Sequence, residues 1–204
     1  MRALVREIAE VFMRIVEFLG QALRSVRSDE SKLIEAMPAV ASHSNTISIK
    51  SPVFEDGAPI PKTYTADGAS VFPTLKWKGV PRESNSLLLV VEDPDAPKPT
   101  PFVHGIFYNM PPQLEELPEI AVDPDGITER LAKVGVHMGT NSVFEPAYMA
   151  PTPPPGHGPH HYHFQLIALD KLLEFDKVPS LADIKAAIDG HVLAAGELVG
   201  TYER

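Results

Sequence analysis

The chain has 204 residues, 44% of them hydrophobic and 22% charged, with a formal net charge of −9, 21 prolines and no cysteine. That size and composition suit one buried domain with an appendage, while the acidic balance argues against a nucleic-acid partner, whose phosphates call for a basic face. Without cysteine there is neither a disulfide framework nor a thiolate metal site, and no apolar run reaches the roughly 18 residues of a membrane span.

Residues 1–28 carry a helical pattern. Met1, Val5, Ile8, Phe12, Ile15, Leu19, Ala22 and Val26 recur at spacings of four and three, and Leu4, Val11, Val16 and Leu23 widen the stripe. Glu7, Glu10, Arg14, Glu17, Gln21 and Arg24 fall on the opposite side. An amphipathic helix is expected, its stripe covered by its own domain or by a second copy in a homo-oligomer. A membrane surface is the weaker alternative, because the polar face mixes both signs of charge. Those charges also break any signal-like apolar stretch, so a cytoplasmic location is expected. Residues 29–45, polar and rich in small side chains, read as a linker with a helical turn in "ESKLIEAM".

From residue 46 to 204 the texture is that of short strands between turns. "ISIKSPVF" and "TLKWKGVP" alternate, "SLLLVVE" reads as a strand buried on both faces, and "FVHGIFYNM" and "HYHFQLIALD" read as two more. Near the end Ser180 is placed to cap a helix over "LADIKAAID" that Gly190 stops, and "HVLAAGELVGTYER" is expected as a second helix. The domain is therefore mostly β with C-terminal helices.

Polar residues interrupt these apolar strands at three places. Asp93 and Asp95 flank Pro94 in "EDPDAP", at the end of the buried strand; taken alone they equally suit a turn. His104 lies inside a strand and by alternation shares a face with Ile106 and Tyr108, with Gly105 leaving room beside it. The third place is "PTPPPGHGPHHYHF", where half of the eight histidines crowd together. If it is extended, His160, Tyr162 and Phe164 face one side and His161 and His163 the other, so the histidines do not converge on one ion. His161 and His163 would need further ligands to close a metal site, and no metal or other cofactor is expected. His157 is left in the loop, without a task and in solvent. A carboxylate beside His104 and His160, with the Tyr162 hydroxyl, would line a small cleft with donors for one anion.

These residues, in this order, resemble the phosphatidylethanolamine-binding protein family, also called Raf-kinase-inhibitor-like proteins, and its bacterial and archaeal branch in particular. "SPVFEDGAPIPKTYTADG", "PTLKWKGVP", "LLLVVEDPDAP", "FVHGIFYNMP" and "HVLAAGELVGTYER" follow that pattern from about Ile47 to Arg204. The resemblance implies an antiparallel β-sandwich-like fold with one anion pocket. It places the pocket on Asp93, Asp95, His104, Pro153, Pro154, Gly156, His160 and Tyr162. Three features depart from the family pattern: His161 stands where the family's H-R-Y has arginine, Gly105 where tryptophan often follows the strand histidine, and "TNSVFEPAYMAP" where a glycine-rich loop is usual. The helix of residues 1–28 lies outside the pattern. The expected function is binding of a small phosphorylated or other anionic ligand, regulatory by analogy with the family's kinase and protease inhibition. The alternative is an enzyme that uses the Asp, His and Tyr groups for acid–base chemistry on a small molecule; binding is favoured because no nucleophile is evident.

Overall fold

The computed structural model describes residues 2–120, 131, 133 and 135–204, the side chains of residues 2–10 and 12 excepted. The expected stripe positions Met1, Leu4, Val5, Ile8 and Phe12, with Glu7 and Glu10 on the polar side, thus lie outside the described side chains. Helix α1 spans Arg2–Ala22, and a short helix α2 spans Pro38–Ala41. The strands are β1 (Ser48–Lys50), β2 (Leu75–Lys78), β3 (Ser86–Asp93), β4 (Phe102–Met110), β5 (Glu116–Leu117), β6 (His137–Gly139), β7 (His160–Leu169) and β8 (Val192–Tyr202), with helix α3 (Leu181–Ile188) before the last. They form two antiparallel sheets, one of three strands in the order β1-β2-β5 and one of five in the order β6-β4-β3-β7-β8.

β3 is the middle strand of the larger sheet, and all eight of its residues are buried. Its unbroken apolar run is what a strand covered on both faces requires. On one face Leu87, Leu89 and Val91 pack with Phe107, Phe164 and Phe72 and with Leu75, Trp77 and Leu117 of the smaller sheet. On the other, Leu88 and Val90 meet Ile34 and Val40 from the N-terminal segment and Ile184 and Ile188 from α3. Residues 29–45 are thus packed where their composition suggests a connection: Leu33, Ile34 and Val40 are buried, and Ile34 N–H and Glu35 N–H donate to the Glu92 carboxylate and the Gln165 side-chain carbonyl.

Two expectations about local structure are corrected. "HVLAAGELVGTYER" is not a second helix but the long strand β8, paired along β7 from Leu169↔Val192 to His160↔Tyr202. Its small residues serve close packing. A Cβ on Gly196 would lie 2.0 Å from the Ile47 carbonyl oxygen, and one on Gly200 2.5 Å from Ile60 Cγ1. α3 alone is helical there, closed at its N-terminus by the reciprocal Ser180–Asp183 capping box. The second correction concerns His104. Val91 pairs with Gly105 but Glu92 with Val103, so His104 is an extra residue in β4. The bulge breaks the alternation. His104 turns away from the face that holds Ile106 and packs edge-on against Tyr162, ring centroids 5.1 Å apart.

Candidate functional site

At the end of β3 the chain enters the turn of "DPDAP", where Asp95 N–H donates to Asp93 Oδ1 over 2.8 Å. This leaves Asp93 Oδ2 for the neighbouring strand, and His160 Nδ1 lies 2.7 Å from it. His104 Nε2 stands 4.0 Å from the same oxygen. Strand order dictates this meeting: β3 lies between β4 and β7, so the end of β3 is flanked by the bulge of one neighbour and the first residue of the other. Asp93, His104, Pro153, Pro154, His160 and Tyr162 all line one cavity of about 240 Å³. Ala96, Pro97, Lys98, Phe102, Met149 and Thr152 complete it.

Hydrogen bonding assigns the protons. His104 Nδ1 is 2.7 Å from the Met149 carbonyl, which can only accept, so that nitrogen carries the hydrogen. Burial then pushes the ring below the ordinary imidazole range, against the pull of Asp93, and Nε2 is left with a lone pair. His157 Nε2 likewise faces a carbonyl, that of Leu23, at 2.8 Å, while its Nδ1 lies 2.8 Å from His160 Nε2. The chain Leu23–His157–His160–Asp93 contains three hydrogen bonds, and with Asp93 as a carboxylate they require three N–H groups on two rings. Two neutral imidazoles supply only two, so the pair holds one extra proton. Burial pushes His157 below the ordinary imidazole range, and His160 Nδ1 faces the Asp93 carboxylate. Tyr162 is buried with its hydroxyl near the Thr152 backbone but without a completed hydrogen bond. Burial, reinforced by Asp93, raises it well above the usual phenol value, and it stays a donor. Lys98 sits at the mouth with its ammonium 4.8 Å above the Phe102 ring.

Two of the residues expected in the pocket stand behind it. Asp95 accepts from both the backbone N–H and Nδ1 of His161 at 2.7 Å, and from the Arg27 guanidinium. Burial opposes its charge, but the bonds from His161 and Arg27 outweigh that and hold the carboxyl below the usual range. Gly156, at φ 77°, lies against α1, where a Cβ would come 2.9 Å from the Glu17 carbonyl oxygen. Its left-handed backbone and that close approach both select glycine. His157, expected in solvent, is fully buried, because α1 and the segment after it cover the loop.

Sequence reasoning missed Lys98 and Phe102, although both lie within a few residues of Asp95 and His104. It also missed Arg27, for which no local signal existed: the ion pair spans 68 positions. His161 and His163 do not act together, since His161 serves Asp95 and His163 Nδ1 meets Glu197 Oε1 at 2.6 Å. Among the described residues, Glu35, His163 and Glu197 form the group with metal-ligand composition, their ligand atoms within 4.8 Å of one another. They lie on the far face of the sheet from the cavity, with His163 and Glu197 already paired. Among the described residues no helix is long and apolar enough to cross a membrane.

Residues 50–203 match the family model "Phosphatidylethanolamine-binding protein". A UPF0098 protein of Pyrococcus horikoshii is 38% identical over 173 residues, covering 84% of this chain and 85% of its own. The fungal "Phomoidride biosynthesis cluster protein B" is 34% identical over 201 residues, covering 94% of this chain and 95% of its own. Among solved structures, a putative phosphatidylethanolamine-binding protein homologue of Chlamydia trachomatis superposes with a TM-score of 0.68 at 35% identity, over 78% of this chain and 99% of the other. An Escherichia coli member of the mammalian family superposes with a TM-score of 0.70 at 27% identity, with the same coverage. With its central β3, its D-P-D-x-P turn and its His–Tyr strand in one register, the chain belongs to the phosphatidylethanolamine-binding protein family, on the branch of its bacterial and archaeal members.

Proposed function

We propose that this protein binds a small anionic molecule, phosphorylated or carboxylated, in the cavity between Asp93, His104, His160 and Tyr162. The observation that carries this reading is the convergence of uncommitted donors on a cavity with mostly apolar walls: the unpartnered Tyr162 hydroxyl and the Lys98 ammonium. His160 Nδ1 faces the Asp93 carboxylate, and His104 Nε2 becomes a third donor once it takes up a proton. Apolar walls with a few convergent polar groups are the usual character of a small-molecule site. Two sheets that share one core agree with the β-sandwich arrangement expected for such a pocket. The test is a titration with inorganic phosphate and phosphoethanolamine, followed by the imidazole NMR signals. His104 and His160 should shift together, and no movement of either at millimolar ligand would sink the reading.

A second reading, acid–base catalysis on a small molecule, is favoured by one specific finding. The fungal relative that matches nearly the whole chain is named for a biosynthesis cluster. His104 Nε2, a lone pair beside the protonated Tyr162, is a base–acid couple in reach of one bound molecule. Inhibition of a kinase or protease would need a broad protein-binding face, whereas this cavity of about 240 Å³ suits a small ligand.

For partners, we propose a second copy of the chain. Val11, Ile15, Phe18, Leu19, Leu23 and Val26 are exposed along α1 and the turn after it, and the net charge of −9 disfavours an anionic membrane. Phe18→Glu should therefore lower the mass measured by light scattering; an unchanged mass would refute self-association through this stripe.

A further inference from the structure

The segment that follows α1 enters the hydrogen bonding of the pocket at two points. At the first, the Leu23 carbonyl is the last acceptor of the imidazole chain. It demands the hydrogen on His157 Nε2 and so turns the lone pair of His157 Nδ1 toward His160. At the second, Arg27 spans Asp95 and the Pro159 carbonyl, the latter at 3.2 Å, and ties the acidic turn to the start of β7. Next to it, Ser28 N–H and Oγ both donate to the Pro94 carbonyl, at 2.8 and 3.0 Å.

The docking is close. Gly20 is buried, and a Cβ there would fall 2.0 Å from the Pro155 carbonyl oxygen and 3.2 Å from His157 N. Backbone atoms cannot yield that distance, so any larger residue at position 20 must lift the segment off the loop. The guanidinium also bears on a charged pair with little other support. Without Arg27, Asp95 would depend on His161 alone, whose side chain is 45% exposed.

The family model begins at residue 50, yet the fungal relative covers 94% of this chain. The uncovered 6% of 204 residues is about 12, so that match necessarily runs into the first 28.

We infer that Gly20–Ser28 is an in-cis part of the ligand site, with Arg27 a positioning residue: docked, it fixes the tautomers of His157 and His160 and the pose of Asp95. Displaced, it frees the Nε2 of His157 and with it the hydrogen bond that His157 Nδ1 shares with His160 Nε2. The consequence for affinity rests on the anion-pocket reading; the consequence for the imidazoles does not.

The test uses the full chain and the variants Gly20→Ala, Arg27→Ala and Arg27→Lys. Imidazole ¹H–¹⁵N spectra report which ring nitrogens carry hydrogen, and inorganic phosphate is titrated in parallel at pH 7. Alanine is the better helix former, so weakening at position 20 reports the clash and not helix propensity. In the native protein His157 should carry its hydrogen on Nε2, toward the Leu23 carbonyl, and His160 one on Nδ1, toward Asp93. Gly20→Ala and Arg27→Ala should average the His157 signals and weaken phosphate by roughly tenfold, the scale of one charge-assisted hydrogen bond. Arg27→Lys should recover most of both effects.

Unchanged imidazole patterns in both alanine variants would overturn the inference. So would altered patterns with phosphate affinity intact, because the segment would then order the histidines without belonging to the site. If native protein binds no phosphate but the imidazoles still respond, the anion reading fails and the positioning role stands. Should Gly20→Ala not fold, the two Arg27 variants decide alone.

Discussion

A dianion that binds at His104 Nε2 has to bring a proton with it. In the free protein that nitrogen holds a lone pair, since Nδ1 donates to the Met149 carbonyl, and Nε2 stands 4.0 Å from the Asp93 carboxylate. Burial keeps the ring below the ordinary 6.5, so the whole range from pH 6.5 to 8.5 lies above its free value. Linkage then weakens binding by up to tenfold, about 1.4 kcal/mol, for each pH unit. Sulfate is the right probe because it does not titrate in this range. Calorimetry at pH 6.5, 7.5 and 8.5 should show affinity falling by roughly 100-fold across the series, with about one proton taken up per sulfate in buffers of different ionisation enthalpy. His104→Gln should bind with little dependence on pH, because an amide donates without titrating. A flat profile in the native protein, or the same slope in His104→Gln, would refute the assigned role of His104.

Three further outcomes follow from other parts of the structure. Burial and the neighbouring Glu197 push the Glu35 carboxyl from 4.5 up to about 7, so the folded state holds a proton that the unfolded state loses. Stability should fall as pH rises from 4.5 through about 7, and urea melts of Glu35→Gln should lack that fall. Gly196→Ala would drive a Cβ to 2.0 Å from the Ile47 carbonyl oxygen; a loss of about 2 kcal/mol or more is expected in the same melts, and near-native stability would count against this register. Ser180→Ala removes the hydroxyl half of the capping box before α3, while the Ser180 N–H can still donate to the Asp183 carboxylate, and should cost about 1 kcal/mol.

The unbroken run of β3, the Asp-Pro-Asp turn and the His–x–Tyr alternation of β7 are local features, and each carried its meaning in the sequence. Apolar residues on both faces call for a covered strand, and the period of two puts His160 and Tyr162 on one side whatever lies around them. The family followed from their order along the chain. Where sequence reading failed, a distant partner had overruled a local pattern. Ala194, Ala195 and Gly196 lie in a stretch that reads as helical until the Ile47 carbonyl comes against Gly196 and makes the absence of a Cβ the requirement there. His104 faces the pocket because a bulge against β3 adds one residue to its strand, and no single strand's alternation encodes its neighbour's register. Arg27 and His157 meet the site only because the segment after α1 folds across the proline-glycine loop, 68 residues along the chain from Asp95. The sequence by itself determined most of the residues that line the cavity and the face that His160 and Tyr162 share, but not the face of His104. Tertiary structure alone decided how their protons are shared, because a tautomer is set by the partner on the ring's other nitrogen, and here that partner is a carbonyl from the opposite end of the chain.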